Sequence, residues 1–157
     1  MKAEIPSMAE NPEFQNMVRQ IMEERIPFCR SLGMKLHSFD ASAPEIRLDM
    51  QENLVGNFAH GMLHGGVIAT LLDSVAGCAV LMQSARQFPK DSAMLQIQEF
   101  AHMSTIDLRV DYLRPGRGKQ FIASAEVTRL GRRVANVQMR LRNELGECIA
   151  TGAAAFM

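Results

Sequence analysis

The hydrophobic residues near the start of the chain recur at the spacing of an amphipathic helix. Apolar side chains recur every three or four positions through Phe14, Val18 and Met22, and polar residues separate them. Asn11 and Pro12 precede this pattern as a helix cap followed by proline at the first helical position. The pattern predicts a helix over residues 12–25, preceded by a flexible segment over residues 1–11.

Two short strands and a loop follow the predicted helix. Residues 33–40 and 45–50 are expected to form strands, and the second of them alternates apolar and charged side chains. Such alternation indicates that one face of the strand contacts solvent. Residues 53–63 contain glycine and asparagine at several positions and are expected to form a loop.

The longest apolar stretch of the chain runs over residues 65–83. It is apolar on most sides of a helical wheel, and this is typical of a helix buried on all sides by other elements. The polar segment over residues 85–102 follows, and its pattern allows either a short helix or a lid.

The last third of the chain predicts four strands with short turns, which favours an antiparallel sheet. Apolar and polar residues alternate from Ile106 to Tyr112, and three further strands are expected over residues 120–130, 134–142 and 147–156. Helices and strands do not alternate as a doubly wound fold requires. The order instead predicts an α+β protein of the hotdog type, in which a curved antiparallel sheet wraps one long central helix and an N-terminal helix is added.

Composition limits the class of protein. A chain of 157 residues is the size of one domain, so a single domain is expected over residues 1–157. Its 17 basic and 17 acidic residues cancel, so no net charge recruits nucleic acid or an anionic membrane. The first eleven residues lack the apolar core of a signal peptide. Asp73 lies near the middle of the long apolar stretch, so a buried core helix is favoured over a membrane span.

The three cysteines are widely spaced and form no CxxC pair. This pattern argues against a disulfide framework and against a zinc site, and it favours a reducing, cytoplasmic compartment. His60 and His64 are four residues apart, a spacing that suits a metal on a helix, but Gly61 and the expected loop between them argue against a metal site.

The segment from His64 to Asp73 is the strongest candidate for chemistry. Gly65 and Gly66 directly precede the apolar helix, so they leave backbone N–H groups uncovered at its N-terminus, where the helix dipole favours a developing negative charge. Hydrolysis of a thioester develops such a charge on the carbonyl oxygen. Asp73 is an ionisable group inside an otherwise apolar helix. The residues alone leave two alternatives open: a simple glycine turn, and an aspartate paired within the core.

Two motifs of the chain resemble those of a known family. The pattern His-Gly-Gly-x6-Asp over residues 64–73 resembles that of the PaaI-like thioesterases of the hotdog superfamily, and the type that acts on medium- and long-chain acyl-CoA is the most similar. The strand TIDLRVDYLRP over residues 105–115 is also similar to theirs. The resemblance extends over about residues 12–157. It implies a hydrolase that releases a free fatty acid and CoA without a cofactor.

The resemblance also implies roles for individual residues. Asp73 would act as general base or nucleophile, and the Gly65 N–H would polarise the thioester carbonyl. His64 would orient the glycine loop, in which Gly66 would contact substrate, and Thr105 would position water. Asn57 lies one residue further from His64 than the family pattern has it, so His60 is the alternative helper at the carbonyl.

Helix geometry predicts a site shared between two subunits. Gly65 and Asp73 are eight residues apart, or about 12 Å along a helix, so one chain cannot easily bring both to one carbonyl carbon. A homodimer with antiparallel helices could do so, and a homotetramer would contain such dimers. Arg132 and Arg133 follow a turn and are candidates for the phosphates of CoA, with a basic hairpin turn as the alternative. A hydratase or dehydratase and a non-catalytic acyl-CoA-binding protein stay open as alternative functions.

Overall fold

The computed structural model describes residues 7–157, so Met1–Pro6 lie outside the described part. Within the predicted flexible segment, Met8–Glu10 form one turn of 3-10 helix whose Ala9 is buried. Helix α1 (Pro12–Gln20) begins as predicted, because the Asn11 side chain accepts a hydrogen bond of 2.8 Å from the Glu13 N–H and Pro12 occupies the first turn.

The predicted N-terminal helix does not continue as a regular α-helix to residue 25. Ile21–Arg25 form a π-helical turn, in which the Ile26 N–H donates to the Ile21 carbonyl at 3.0 Å. Ile26 is extended, as expected for a residue before proline, and a second short helix, α2 (Pro27–Leu32), follows. Gly33 ends α2 in the left-handed conformation, with φ at 75°.

Six strands form one antiparallel sheet, in agreement with the predicted architecture. The strands that pair in this sheet are β1 (Lys35–Ser38), β2 (Glu45–Asp49), β5 (Thr105–Tyr112), β6 (Gln120–Leu130), β7 (Ala135–Asn143) and β8 (Cys148–Phe156). Their spatial order is β1-β2-β6-β7-β8-β5. Strand β5 therefore pairs with β8 at one edge of the sheet and not with β6, its neighbour in sequence.

The segment over residues 53–63 is not a loop throughout, so this prediction was wrong in part. It contains a short hairpin of β3 (Val55–Asn57) and β4 (Met62–Leu63), preceded by a 3-10 turn over Glu52–Leu54. The two strands have only three and two residues, which is too short for side-chain alternation to appear in the sequence. The hairpin leads directly into the central helix.

The central helix α3 (Gly65–Gln87) is the core of the molecule and packs against β6, β7 and β8. Leu71, Leu72 and Val75 are fully buried, and each such side chain contributes about 1.5–3 kcal/mol of hydrophobic stabilisation. The helix is long and apolar enough to cross a membrane by composition, but most of its apolar window is buried inside the protein. Burial under the sheet accounts for its hydrophobicity, and the hotdog architecture predicted from the sequence is confirmed.

The polar segment after α3 contains a second helix, one of the two structures that its sequence pattern allowed. Helix α4 (Ala93–Phe100) begins at Ser92, whose hydroxyl accepts a hydrogen bond from the Leu95 N–H at 3.3 Å. Helix α4 packs against α1 and α3. The segment after α3 is therefore part of the packed fold.

Candidate active site

The residue before α3, His64, caps the N-terminus of the helix. His64 Nδ1 accepts a hydrogen bond of 2.8 Å from the Gly66 N–H, so the neutral ring carries its proton on Nε2. The His64 carbonyl accepts from Val67 and Ile68. In the part of the chain that the structure describes, the Gly65 N–H donates to no protein acceptor. This amide lies at the positive end of the helix dipole and is free to bind an oxygen.

The hairpin before α3 packs closely on this turn. A Cβ atom at Gly56 would lie 2.6 Å from the His64 Cα, so only glycine permits the contact. Asn57 follows, and its side-chain oxygen accepts from the Ala59 N–H at 3.1 Å. His60 is exposed near the tip of the hairpin. The structure thus places Asn57 and His60 on the hairpin that supports His64, and not in the cavity at Asp73.

Tyr112 also contacts this turn, although the strand motif that contains it predicted no role for it. Its hydroxyl donates a hydrogen bond of 2.8 Å to the Gly65 carbonyl, and its ring lies against Gly65. An aromatic residue in an alternating strand has the same pattern as any other strand residue. The contact fixes the peptide between Gly65 and Gly66 from the side opposite to His64.

Asp73 lies two turns further along α3 and meets the other end of β5. The Thr105 hydroxyl donates a hydrogen bond of 2.9 Å to Asp73 Oδ1. The structure therefore brings together Asp73, which the family resemblance implies as base or nucleophile, and Thr105, which it implies for positioning water. Strand β5 therefore contacts α3 at both candidate catalytic groups of the helix. Thr105 contacts Asp73, and Tyr112 contacts Gly65.

A β-bulge allows Thr105 to reach Asp73. Thr105 pairs with Phe156 and Asp107 with Ala155, so the register of β5 against β8 shifts by one residue between them. Thr105 and Leu108 both line the cavity at Asp73, although they are three positions apart and regular alternation would put them on opposite faces. Bulges reorient side chains in this way, and they are frequent beside active sites.

Asp73 and Thr105 open into a cavity of about 430 Å³. Apart from these two residues its walls are mainly apolar, and they come from α3, the π turn, α2 and the segment after α4. Such a volume is typical of a site for a small molecule. The cavity joins a carboxylate to a surface suited to a hydrocarbon chain.

Cys29 lies beside Asp73 but is unsuited to react as a thiolate. Its Sγ atom is 3.8 Å from the Ser74 hydroxyl oxygen. Burial raises the pKa of the Cys29 thiol, and the nearby negative charge of Asp73 raises it further, although the Ser74 contact opposes this. The thiol stays protonated and contributes to the wall of the cavity.

Arg132 and Arg133 line a second cavity of about 690 Å³, apart from Asp73. Lys90 also lines this cavity and pairs with Glu99 at 2.6 Å. Phe100, Met103 and Phe156 line both cavities and so form the wall between them. The two arginines are exposed, so they are positioned to meet a soluble anion.

Among residues 7–157 no cluster of three or more His, Cys, Asp or Glu side chains could hold a metal ion.

Sequence comparison relates this chain to known proteins. The family model of the thioesterase superfamily matches residues 60–150, which include the glycine turn, Asp73 and Thr105. The medium/long-chain acyl-CoA thioesterase YigI of Escherichia coli strain K12 is 38% identical over 141 residues, which cover 90% of this chain and 91% of that protein.

Solved structures share the fold of this chain. A crystal structure from Shewanella oneidensis, of a protein related to the thioesterase superfamily, is 36% identical, with a TM-score of 0.86 over 94% of this chain and 99% of that one. Thioesterase superfamily member 2 from Mus musculus has a TM-score of 0.71 over 92% of this chain and 96% of that one. At 23% identity, the mouse protein supports the fold alone.

Proposed function

This chain belongs to the thioesterase superfamily and is a thioester hydrolase, and from that premise we propose that it hydrolyses medium- to long-chain acyl-CoA to a free fatty acid and CoA. The observation that carries the proposal is the Asp73 carboxylate, oriented by the Thr105 hydroxyl inside a mainly apolar cavity. The similarity to the Escherichia coli enzyme supports the acyl-CoA substrate and its chain length.

Asp73 acts as the general base or as the nucleophile of this reaction. As a base it removes a proton from a water molecule that attacks the thioester carbonyl, and as a nucleophile it attacks the carbonyl directly. Thr105 occupies only Oδ1 through its hydrogen bond, which leaves Oδ2 for either role. The C–S bond then breaks, and the departing sulfur of CoA takes up a proton. On the nucleophilic route, water afterwards hydrolyses the mixed anhydride between Asp73 and the acyl group, which releases the fatty acid and restores the carboxylate.

The Gly65 N–H stabilises the oxyanion that forms on the carbonyl oxygen. Its freedom from protein acceptors and its position at the first turn of α3 support this role. His64 and Gly66 hold the turn through their mutual hydrogen bond. Asn57 lies on the hairpin that packs against His64 and is the candidate for a second donor to the carbonyl, with His60 as the alternative.

The two groups come from different subunits of a homodimer. Gly65 and Asp73 lie on one continuous helix, about 12 Å apart along its axis, which is too far for one carbonyl group. Strand β5 supports the dimer because it is the edge of the sheet and carries exposed apolar side chains, with Ile106 51% and Tyr112 55% exposed. Unpaired edges of this kind invite pairing with another strand.

The phosphates of CoA bind at Arg132 and Arg133. Residues on one face of α3 line both cavities, since Asp73 and Gly77 line the first and Leu81 and Ser84 the second. Asp73 and Ser84 are eleven residues apart, or about 16 Å along the helix. The extended linker between the thioester and the phosphates of CoA therefore follows this face, past the wall between the cavities.

Thiol release from a panel of acyl-CoA chain lengths tests the proposal. We expect CoA release that depends on chain length, and loss of at least about two orders of magnitude in kcat for Asp73→Asn. Asp91→Asn is the matched control, because Asp91 is an exposed aspartate that lines neither cavity. Absence of release from every chain length would refute the function, and an Asp73→Asn rate within a few-fold of wild type would refute the role of Asp73.

A further inference from the structure

One wall of the Asp73 cavity comes from residues that precede the part of the chain matched by the family model. The family model begins at residue 60, whereas Met22, Ile26, Phe28 and Cys29 line the cavity. These residues belong to the π turn, to α2 and to the residue between them. The matched part of the chain therefore supplies the carboxylate, and the preceding segment supplies part of the surface around the substrate.

The backbone of this segment is shaped so that residues on both sides of a helix break face the cavity. The π turn over Ile21–Arg25 ends at Ile26, which is extended before Pro27, and α2 then starts in a new direction. Met22 lies before the break, and Phe28 lies after it. Cys29 holds α2 against α3 through the contact of its sulfur with Ser74, one residue from Asp73.

The side chains of this wall favour a hydrocarbon. The charged residues of the π turn do not line the cavity, because Glu23 instead accepts hydrogen bonds from the Leu36 N–H and from Arg19 and Lys35. Met22 has a flexible, unbranched side chain that adapts to ligands of different shape. The cationic groups suited to phosphate line the other cavity. The two ends of an acyl-CoA are thereby assigned to opposite sides of Asp73.

We propose that the acyl tail lies beneath the segment from Met22 to Cys29, and that Met22, Ile26 and Phe28 determine which chain lengths are accepted. This inference rests on the proposed function. Ile26 is half-buried and Phe28 is 59% exposed at the rim, so a long tail contacts both, whereas a short tail ends before them. Selectivity for chain length resides in this segment, which precedes the residues matched by the family model.

A larger side chain at Ile26 tests the inference. Ile26→Phe narrows the cavity, and we expect the ratio of kcat/KM for palmitoyl-CoA to that for butyryl-CoA to fall by about tenfold or more. Met17→Phe is the matched control, since Met17 is also half-buried on the same N-terminal segment but does not line the cavity. An unchanged ratio in Ile26→Phe, or the same fall in Met17→Phe, would overturn the inference.

A second variant covers the case in which Ile26→Phe fails to fold. Phe28→Ala removes a largely exposed side chain, and we expect a several-fold higher KM for palmitoyl-CoA with little change for butyryl-CoA. Equal effects on both substrates, or none on either, would contradict the inference. Failure of the proposed function is distinguishable, because the wild-type enzyme would then release no CoA from palmitoyl-CoA.

Discussion

The Thr105 hydroxyl lies 2.9 Å from Asp73 Oδ1 and donates a hydrogen bond to it across 32 positions of sequence. The contact depends on the bulge between Thr105 and Asp107, without which the hydroxyl would face away from α3. A hydrogen bond to a charged group contributes about 1.5–3 kcal/mol, enough to keep a carboxylate in one orientation. The bulge therefore connects the edge of the sheet to the chemistry of the cavity.

Removal of this hydroxyl is expected to lower kcat. For Thr105→Val, which keeps the shape of the side chain, we expect a fall of about tenfold or more at nearly unchanged KM. Thr105→Ser keeps the hydroxyl and is expected to stay within about threefold of wild type. Thr151→Val on β8 is the control for loss of a strand threonine away from the cavity. Steady-state kinetics on one acyl-CoA tests this expectation, and a wild-type kcat in Thr105→Val would contradict the role of the hydroxyl.

Tyr112 is expected to position the glycine turn. Tyr112→Phe removes the hydrogen bond to the Gly65 carbonyl and keeps the ring against Gly65. Since one neutral hydrogen bond contributes about 0.5–1.5 kcal/mol, kcat should fall by roughly two- to tenfold. The split between kcat and KM, together with an unchanged Tm, separates positioning from a loss of stability. A fall in Tm with unchanged kcat would assign Tyr112 a structural role only.

The pattern of apolar residues predicted much of the fold, and the parts that it missed depend on tertiary contacts. The length of the apolar stretch after Gly65 indicated a buried helix, and alternation indicated the strands around it. Periodicity carries no information about which strand is the neighbour of another, so the pairing of β5 with β8 was not predictable. The hairpin over residues 55–63 is too short to show a pattern.

The candidate site, like the fold, was predictable from the sequence only in part. The glycines at residues 65 and 66 and the isolated Asp73 were visible because each breaks the apolar pattern around it. The family resemblance selected Thr105, but the bulge that orients it leaves no mark on residue types. Nor did the spacing indicate that the π turn at Ile21–Arg25 would carry Met22 to the cavity.

The cysteines are expected to differ in reactivity with their burial. Burial raises the pKa of the Cys78 thiol to about 12, and the pKa of Cys29 is raised as well. Cys148 is only half-buried. In the folded protein we expect iodoacetamide at about pH 8 to modify Cys148 first, since the thiolate is the reactive form. Mass spectrometry of the peptides checks the order, and early modification of Cys78 would contradict it.

The raised pKa of Cys78 predicts how the stability of the protein changes at alkaline pH. An unfolded Cys78 ionises near its ordinary value of 9.0, whereas the folded thiol stays protonated to about 12. Ionisation of Cys78 therefore favours the unfolded state in this range. The contribution of the protonated Cys78 to the free energy of unfolding is lost as pH rises from about 9 to about 12. Urea unfolding at a series of pH values, with Cys78→Ala as control, should show a smaller alkaline loss in the variant.

A mixture of two inactive variants distinguishes a shared site from a site within one chain. Gly65→Pro deletes the N–H at the first position of α3, where proline is favoured, and the preceding His64 already has the extended conformation that proline requires, with ψ at 135°. We expect a loss of about two to three orders of magnitude in kcat, as for removal of an oxyanion donor. Gly65→Ala keeps the N–H, and its Cβ would meet Tyr112 only at ordinary contact distance, so it should stay near wild type.

Gly65→Pro is then mixed with Asp73→Asn, unfolded and refolded together. In a shared arrangement, each mixed dimer has one site that combines an intact Gly65 from one subunit with an intact Asp73 from the other. Half of the dimers are mixed and half of their sites are intact, so about one quarter of the wild-type activity should return. If each chain formed its own site, every site would carry one of the two changes and the mixture would stay inactive. Each variant refolded alone gives the baseline, and sedimentation of the mixture verifies that dimers have formed.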